Sequence, residues 1–262
     1  EAKLQYGILS GKVDTLVAFP LSFNAAFTST LIPIVSSAKA SDNYDNALRK
    51  INFSMMVALL IGIPSSVGMI VLANPILELL FPNQPDGAFL LQISAISITF
   101  IMLNQNINAI LHGLGKTIIP AVSLLIGAII KLILNTVLVP INPEKFILGG
   151  TAGAAMATVV SHIFRCLISL YVLKKSDNLK FGIKTFIKPI LATILMTISI
   201  IFIYNNLLGI LSEKLCIIIT LLISVIIYLI LILISKVFSE NEIKMLPYGT
   251  VIFRVLRLLK IY

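Results

Sequence analysis

The stretch from Leu215 to Ser235, LCIIITLLISVIIYLILILIS, contains no charged side chain. A helix needs about 20 mainly apolar residues to cross the roughly 30 Å hydrocarbon core of a bilayer, and this stretch has that length and composition. Several other stretches are nearly as free of charge. They are continuous and do not alternate between apolar and polar residues, as the strands of a transmembrane β-barrel would. The sequence therefore predicts membrane-spanning helices.

The composition of the whole chain supports the same fold class. Of the 262 residues, 58% are hydrophobic and 12% are charged, and the mean hydropathy is +1.04. Soluble domains usually contain about 45–50% apolar and about 25% charged residues. We therefore predict an all-α, polytopic transmembrane helix bundle. The formal net charge of +9 comes mostly from lysine and arginine in short loops, which indicates membrane topology and no nucleic-acid partner.

Seven spanning helices are predicted, followed by a different kind of C-terminal segment. The predicted spans are Val13–Ser36, Ile51–Ala73, Ala88–Leu111, Ile118–Val139, Leu148–Leu173, Phe186–Leu207 and Leu215–Val237. The tail, Ser239–Tyr262, mixes basic residues with Ile, Val and Leu, and Pro247 and Gly249 interrupt it. This pattern predicts a cytoplasmic amphipathic segment on the membrane surface.

The charges of the connecting loops alternate in a regular way. The loops after the first, third and fifth spans, together with the tail, contain about 14 basic residues, whereas the other loops contain about 2. Loops rich in lysine and arginine stay in the cytoplasm. The charge pattern therefore predicts an N-terminal end outside the cell, a C-terminus in the cytoplasm and an odd number of spans.

The third span contains polar residues on one side. Asn104, Asn108 and His112 recur at a spacing of four, and Gln105 lies three residues before Asn108. Residues at these spacings form one stripe on a helix. Such a stripe should face protein or a water-filled cavity because lipid cannot satisfy it. Hydrogen bonds between helices would explain one such residue, and a stripe of them favours a polar cavity.

The fourth span contains a basic residue near its middle. Ser123, Gly127, Lys131 and Asn135 recur at a spacing of four. A lysine at the centre of a lone spanning helix costs at least about 2.5–3.5 kcal/mol, so Lys131 should face a wet interior or a partner. No acidic residue inside the predicted spans offers an obvious partner for it. The alternatives are an anionic ligand, a partner outside this chain, or an uncharged amine.

Other ionisable residues give weaker signals. His162 and Arg165 lie one turn apart on the fifth span, where either could be a packed core residue or could face a cavity. His162 and Asp14 are candidates for coupling to protons or ions. Lys12 lies beside Asp14 at the predicted outer end of the first span. The sequence has no metal-binding cluster, no phosphate-binding loop and no nucleophile–base pair, so we predict neither an enzyme nor a cofactor.

Three segments resemble a known family of exporters. They are YGILSGKVDTLVAFPLSFNAAFTSTLIPIVSSAKA (6–40), LNQNINAILHGLGKTIIPAVSLLIGAIIKLILNTVLVP (103–140) and GGTAGAAMATVVS (149–161). In this order they resemble the C-terminal half of polysaccharide transporters in the multidrug/oligosaccharidyl-lipid/polysaccharide flippase superfamily. The type most similar to the chain is that of stage V sporulation protein B, which is related to lipid II flippases.

The resemblance implies an architecture and a substrate class. It assigns 1–175 to most of a C-terminal transport lobe, 176–238 to two additional spans, and 239–262 to the tail, with an N-terminal lobe missing from this chain. It implies alternating-access flipping of a lipid-linked oligosaccharide or peptidoglycan precursor in the bacterial cell membrane. The partners expected from it are membrane lipids and a substrate with an anionic pyrophosphate head group.

The resemblance also bears on individual residues. Relatives carry basic residues on the helix that corresponds to the first span, where this chain has Lys12 nearby and the neutral Thr15. The residues predicted to line the substrate cavity are Lys131, Asn135, Asn108, Gln105, Asn104, Asn24 and Lys12.

Two other functions remain open from the sequence. A multidrug or cation antiporter of the same superfamily would need an intramembrane carboxylate, for which this chain offers Asp14. A membrane scaffold for cell-wall or spore-cortex synthesis would depend on the cytoplasmic loops, such as 174–188, and would not need a polar cavity.

Overall fold

The computed structural model describes residues 2–40, 44–177, 184–209, 211–235 and 237, and the predicted amphipathic tail lies outside them. The described residues are mainly helical. The α-helices are α1 (Ala2–Gly7), α2 (Asp14–Ala40), α3 (Tyr44–Val71), α4 (Ala73–Leu80), α5 (Ala88–Ala95), α6 (Ser97–Gly113), α7 (Ile118–Leu138), α8 (Gly150–Asp177), α9 (Lys184–Leu207) and α10 (Glu213–Ile234). A π-helical turn, Ile8–Val13, joins α1 to α2.

Within the described residues, seven helical stretches are long and apolar enough to cross a membrane, which confirms the predicted fold class. The prediction was wrong about where the first span begins. Helical structure begins at Ala2 and not at Val13, and the whole segment Lys3–Ala40 is one spanning stretch. Ile8, Leu9 and Val13 are buried, so packing extends the helix beyond the uncharged part of the sequence.

The third span is interrupted, which the sequence did not show. α5 and α6 together form the stretch Ala88–Gly113, but the regular hydrogen bonding is broken at Ile96, whose N–H bonds to the carbonyl of Ile93. The buried Ser66 of α3 donates to the carbonyl of Ala95 over 2.7 Å. A freed carbonyl inside a membrane needs such a partner, so α3 stabilises the interruption.

The chain divides into two compact units, Glu1–Phe181 and Gly182–Tyr262. In the first unit, α6 packs against α2, α3 and α8, and α7 packs mainly against α8. Large side chains of α6 are fully buried in these contacts, among them Ile98, Met102, Ile107, Ile110 and Leu111. α6 is therefore the central helix of the first unit.

The second unit contains the helix pair α9 and α10. The contact between them includes small polar side chains: Thr193, Thr220 and Ser224 are buried, and Tyr228 forms a side-chain hydrogen bond with Thr193. Hydroxyl groups on facing helices commonly bond across membrane helix pairs. The described part of this unit thus forms a two-helix hairpin.

A close approach between α2 and α6 depends on a glycine. A Cβ atom at Gly113 would lie 2.7 Å from the Cβ of Val35 and 2.9 Å from the carbonyl oxygen of Ile32. The second of these atoms belongs to the backbone, so the helix itself would have to move. Small residues at membrane helix contacts allow such close packing.

We therefore expect Gly113→Ala to destabilise the protein by about 1–3 kcal/mol, the usual cost of overpacking. The matched control is Gly68→Ala in α3, because a Cβ atom there would have no neighbour within 4 Å. Alanine is intrinsically favoured over glycine in a helix, so the control should be neutral or slightly stabilising. Thermal unfolding in detergent checks both variants, and equal melting temperatures would show that the α2–α6 contact tolerates a methyl group.

The order of the helices also makes the predicted topology testable. Lys116 and Lys145 lie just before and just after α7, so a spanning α7 places them on opposite sides of the membrane. We expect a membrane-impermeant maleimide to label Lys145→Cys in intact cells, and Lys116→Cys only after permeabilisation. The reverse pattern would place the basic loops outside the cell and contradict the charge-based orientation.

Candidate functional site

Two buried asparagines of α6 bond to the backbones of neighbouring helices. Asn104 Nδ2 donates to the carbonyl of His162 in α8 over 3.1 Å, and Asn106 Nδ2 donates to the carbonyl of Ser54 in α3 over 2.8 Å. Because no water is available in the hydrocarbon core, a buried amide must find its partners within the protein. These bonds attach α8 and α3 to opposite sides of α6.

A third set of bonds attaches α2 to the same helix. Asn24 of α2 is fully buried, and its Nδ2 lies 2.8 Å from Gln105 Oε1 and 3.2 Å from the carbonyl of Met102. Thr28 of α2 donates to Asn106 Oδ1 over 2.6 Å. We call Asn24, Thr28, Gln105 and Asn106 the amide cluster. It connects α2 and α6, and through Asn106 it also reaches α3.

The predicted polar stripe of α6 is partly open. From Ile101 to the end of α6, the side chains that remain accessible are Ile101, Gln105, Asn108 and His112, which follow one another at spacings of four, three and four. Asn104 is buried, although the sequence placed it on the same stripe. Gln105, Asn108 and His112 therefore face a space beside α6, whereas Asn104 and Asn24 lie in helix contacts.

Lys131 is exposed on α7. Despite the distance in sequence, it interacts electrostatically with Asp14 at the start of α2 and with His162 on α8. The sequence offers no obvious acidic partner for Lys131, and the structure places Asp14 within range of its charge. The arrangement brings basic groups of α7 and α8 and an acid of α2 within range of each other's charge, so these predicted site residues share one region.

Arg165 extends this basic region along α8. Its Nη1 lies 3.5 Å from His162 Nδ1, and its Nε has no hydrogen-bond partner among the described residues. Gly127 of α7 makes room for the arginine, because a Cβ atom there would lie 2.5 Å from Arg165 Cγ and Cδ. Ser161 completes the contact by donating to the Gly127 carbonyl over 2.9 Å.

Lys12 lies apart from this region. Its amine donates to the carbonyl of Gln84 and lies 5.2 Å from the centre of the Phe81 ring. Both partners belong to the connection between α4 and α5, which the predicted topology places outside. In this structure Lys12 therefore binds a loop and does not line the space beside α6.

Some amide oxygens have no partner within the described part of the chain. They are Asn24 Oδ1, Asn104 Oδ1, Asn108 Oδ1 and Asn135 Oδ1. Asn108 and Asn135 are only half-buried. The unpaired oxygens themselves are buried, and an unpaired amide oxygen is costly in an apolar medium.

Sequence reasoning did not identify Thr28, Ser54 and Asn106 as members of the polar network. Asn106 belongs to the same polar segment as Gln105, but spacing does not reveal which neighbour each side chain contacts. Thr28 looks like many hydroxyl residues of α2, and Ser54 contributes its backbone carbonyl, which no sequence pattern marks. The described residues contain no group of three or more His, Cys, Asp or Glu suited to a metal ion.

A family model for the lipid II flippase MurJ matches residues 13–249. The chain belongs to the MurJ family. This confirms the resemblance to lipid II flippases. Among MurJ-related proteins of Bacillus subtilis, the lipid II flippase MurJ is 33% identical over 181 residues, covering 67% of this chain and 32% of that protein. The uncharacterised membrane protein YabM is 29% identical over 207 residues, covering 79% of this chain and 37% of that protein.

A solved MurJ structure has the same fold. The inward closed conformation of the lipid II flippase MurJ aligns with a TM-score of 0.62 at 22% identity, covering 87% of this chain and 47% of that chain. The sporulation protein YkvU of Bacillus subtilis is 31% identical over 111 residues, covering 42% of this chain and 25% of that protein. The chain spans about a third of the length of the MurJ and YabM proteins that it matches.

The structure separates a packing role for Asn106 from an open position at Asn108. We expect Asn106→Leu to destabilise the protein by about 1–3 kcal/mol, because it removes the bonds from Asn106 to Ser54 in α3 and to Thr28 in α2 and places a larger apolar side chain in a fully buried polar contact. Asn108→Leu should change stability by less than about 0.5 kcal/mol, the usual limit away from a packed network. Thermal unfolding in detergent measures both, and an equal loss in the two variants would contradict this division.

Proposed function

We propose that this chain is the C-terminal part of a flippase for a lipid-linked oligosaccharide or lipid II-like peptidoglycan precursor. The observation that carries the proposal is the basic side chain of Lys131, which lies within a spanning helix of a MurJ-family protein. The protein works in the bacterial cell membrane, with its C-terminus in the cytoplasm. Neither the family match nor the names of the relatives favour the antiporter or the scaffold.

The charge of the substrate fits the polar residues of the first unit. A pyrophosphate head group carries negative charge and several acceptor oxygens, which lysine and amide N–H groups bind well. Lys131 supplies the charge, and Asn135, Asn108 and Gln105 supply amides on α7 and on the accessible stripe of α6. These four residues are our candidates for contact with the head group. Asn104 and Asn24 support them by fixing α6 against α8 and α2.

The exposed surfaces of α2 and α7 differ. The difference supports the presence of an N-terminal lobe, outside this chain, that packs against α2. α7 exposes large apolar side chains, including Leu124, Leu125, Ile129, Leu132, Ile133 and Val137. α2 exposes many small and hydroxyl side chains, including Thr15, Ala18, Ser22, Ala25, Ala26, Ser29 and Ser36. Branched apolar side chains suit lipid, whereas small residues suit close contact with other helices. We infer that the N-terminal lobe faces α2, and that lipid faces the part of α7 that carries these apolar side chains and not the part that carries Lys131 and Asn135.

In an alternating-access cycle, the two lobes and the charged residues have separate roles. The two lobes expose a shared polar space first to the cytoplasm and then to the outside, while the lipid tail stays in the membrane. Lys131 neutralises the head group during the crossing, which lowers the cost of moving an anion through a low-dielectric region. Asp14 and His162, which interact with Lys131, are candidates for coupling the movement to a proton or an ion.

Removing the charge of Lys131 should abolish most transport. A charge-assisted hydrogen bond contributes about 1.5–3 kcal/mol, so Lys131→Ala should lower the translocation rate roughly 10- to 100-fold. The measurement is rescue of lipid II translocation by the full-length protein in cells depleted of their own flippase.

Two further variants make this test specific. Lys131→Arg keeps the charge and should retain measurable transport, and Lys145→Ala removes an exposed loop lysine and should leave transport unchanged. All variants are compared at equal membrane expression. Full rescue by Lys131→Ala would remove Lys131 from the proposed site. A correctly inserted parent protein that fails to rescue would exclude lipid II as the substrate and favour another lipid-linked polysaccharide.

A further inference from the structure

Lys12 makes two tertiary contacts with a single loop. The loop, FPNQPDG at Phe81–Gly87, connects α4 to α5. The lysine amine donates to the Gln84 carbonyl near the middle of the loop and lies over the ring of Phe81 at its start. A hydrogen bond from an ammonium group and a cation–π contact are both favourable, and both need the charge. We call these contacts the Lys12 latch.

The backbone that carries Lys12 is unusual. Lys12 belongs to the π-helical turn Ile8–Val13, in which the N–H of Asp14 bonds to the carbonyl of Leu9, five residues earlier. Such turns are rare and often occur at functional sites. Each residue of a regular α-helix turns the chain by about 100°, so relaxation of the π-helical turn would rotate the preceding residues relative to α2. A register change here would therefore move Lys12 away from Gln84.

The loop is exposed, and its backbone is restricted at several positions. Pro82, Asn83, Gln84, Pro85 and Asp86 are all exposed. The two prolines restrict the backbone, and Gly87 ends the loop in a left-handed conformation with φ of 111°. Few residues other than glycine adopt this conformation.

The π-helical turn touches the loop a second time, at the point where the loop ends. A Cβ atom on Gly87 would lie 2.5 Å from Ile8 Cγ2. The turn therefore contacts the loop at both Gln84 and Gly87.

We propose that Lys12 in the π-helical turn latches the loop 81–87, and that this latch opens during each transport cycle. The second half of the proposal rests on the proposed function, whereas the first half concerns the loop alone. In this role Lys12 is a positioning residue: it acts through the loop and does not contact the head group. The latch acts at the predicted outer end of the first unit, because Lys12 joins the α4–α5 connection to the π-helical turn that precedes α2.

Hydrogen–deuterium exchange in the purified full-length protein tests the latch without any substrate. We expect Lys12→Met to raise the exchange rate of peptides within 81–87 about tenfold, since a charge-assisted contact is lost. Lys12→Arg should keep exchange slow, because arginine can bond to a carbonyl and stack on an aromatic ring. Phe81→Leu should give a smaller rise, because the hydrogen bond remains. Lys145→Met, in a different loop, should leave exchange within 81–87 unchanged.

A reversible cross-link tests whether the latch must open. Cysteines at Lys12 and Gln84 are joined by a short, cleavable bis-maleimide in a background where the other cysteines are replaced, and Cys166 and Cys216 are buried in any case. We expect translocation to fall at least about tenfold in the cross-linked protein and to recover when the linker is cleaved.

The two experiments test different parts of the proposal, and a negative result in each contradicts a different part. Unchanged exchange in Lys12→Met would overturn the latch itself. Accelerated exchange together with full transport by the cross-linked protein would overturn the opening step. If the uncross-linked protein does not translocate a lipid-linked substrate, the proposed function fails, and the opening step fails with it. The exchange result still decides whether Lys12 holds the loop.

Discussion

The first unit depends on one constraint, which is that polar groups inside a bilayer must be satisfied by protein. α6 meets this constraint by bonding its buried amides to the backbones of its neighbours: Asn104 bonds to α8, and Asn106 bonds to α3. Its own backbone accepts a bond from Asn24 of α2 at Met102. Leucine and isoleucine on α6 pack against the neighbouring helices but do not determine which helix lies on which side, because lipid tails are equally apolar. The amide bonds therefore fix which side of α6 each neighbour occupies.

The same helix also supplies the open polar surface, and the two roles alternate along it. Gln105 is the residue where they meet, since it accepts a bond from Asn24 and remains partly accessible. Asn108, one turn further on, has an oxygen with no partner among the described residues. A binding surface needs polar side chains in fixed positions. The bonded face of α6 fixes the helix, and the helix in turn fixes the positions of the accessible polar side chains. The bonded and the accessible polar side chains of the first unit thus lie next to each other on one helix.

The sequence predicted the seven spans because each apolar stretch is long and nearly free of charge, and it predicted the family because three segments resemble it. It missed the start of the first span, since Ala2–Val13 is too polar to read as a membrane helix and is stabilised by packing of Ile8 and Leu9. It could not separate Asn104 from Asn108, because both lie on one stripe and only the position of α8 distinguishes them. The electrostatic interaction between Lys131 and Asp14 involves residues far apart in sequence, so only the tertiary structure reveals it.

The spanning stretches of the first unit contain more basic than acidic side chains. Asp14 is the single acidic residue in the five candidate spanning stretches described in the first unit. Lys131 and Arg165 are basic, and both lie in the interior of such stretches. One acid cannot compensate two basic groups, and placing uncompensated charge in a bilayer is costly. The remaining compensation has to come from water, from another part of the protein or from a bound anion. The surplus of basic groups therefore favours an anion over a cation as the source of this compensation, which agrees with the anionic head group of the proposed substrate.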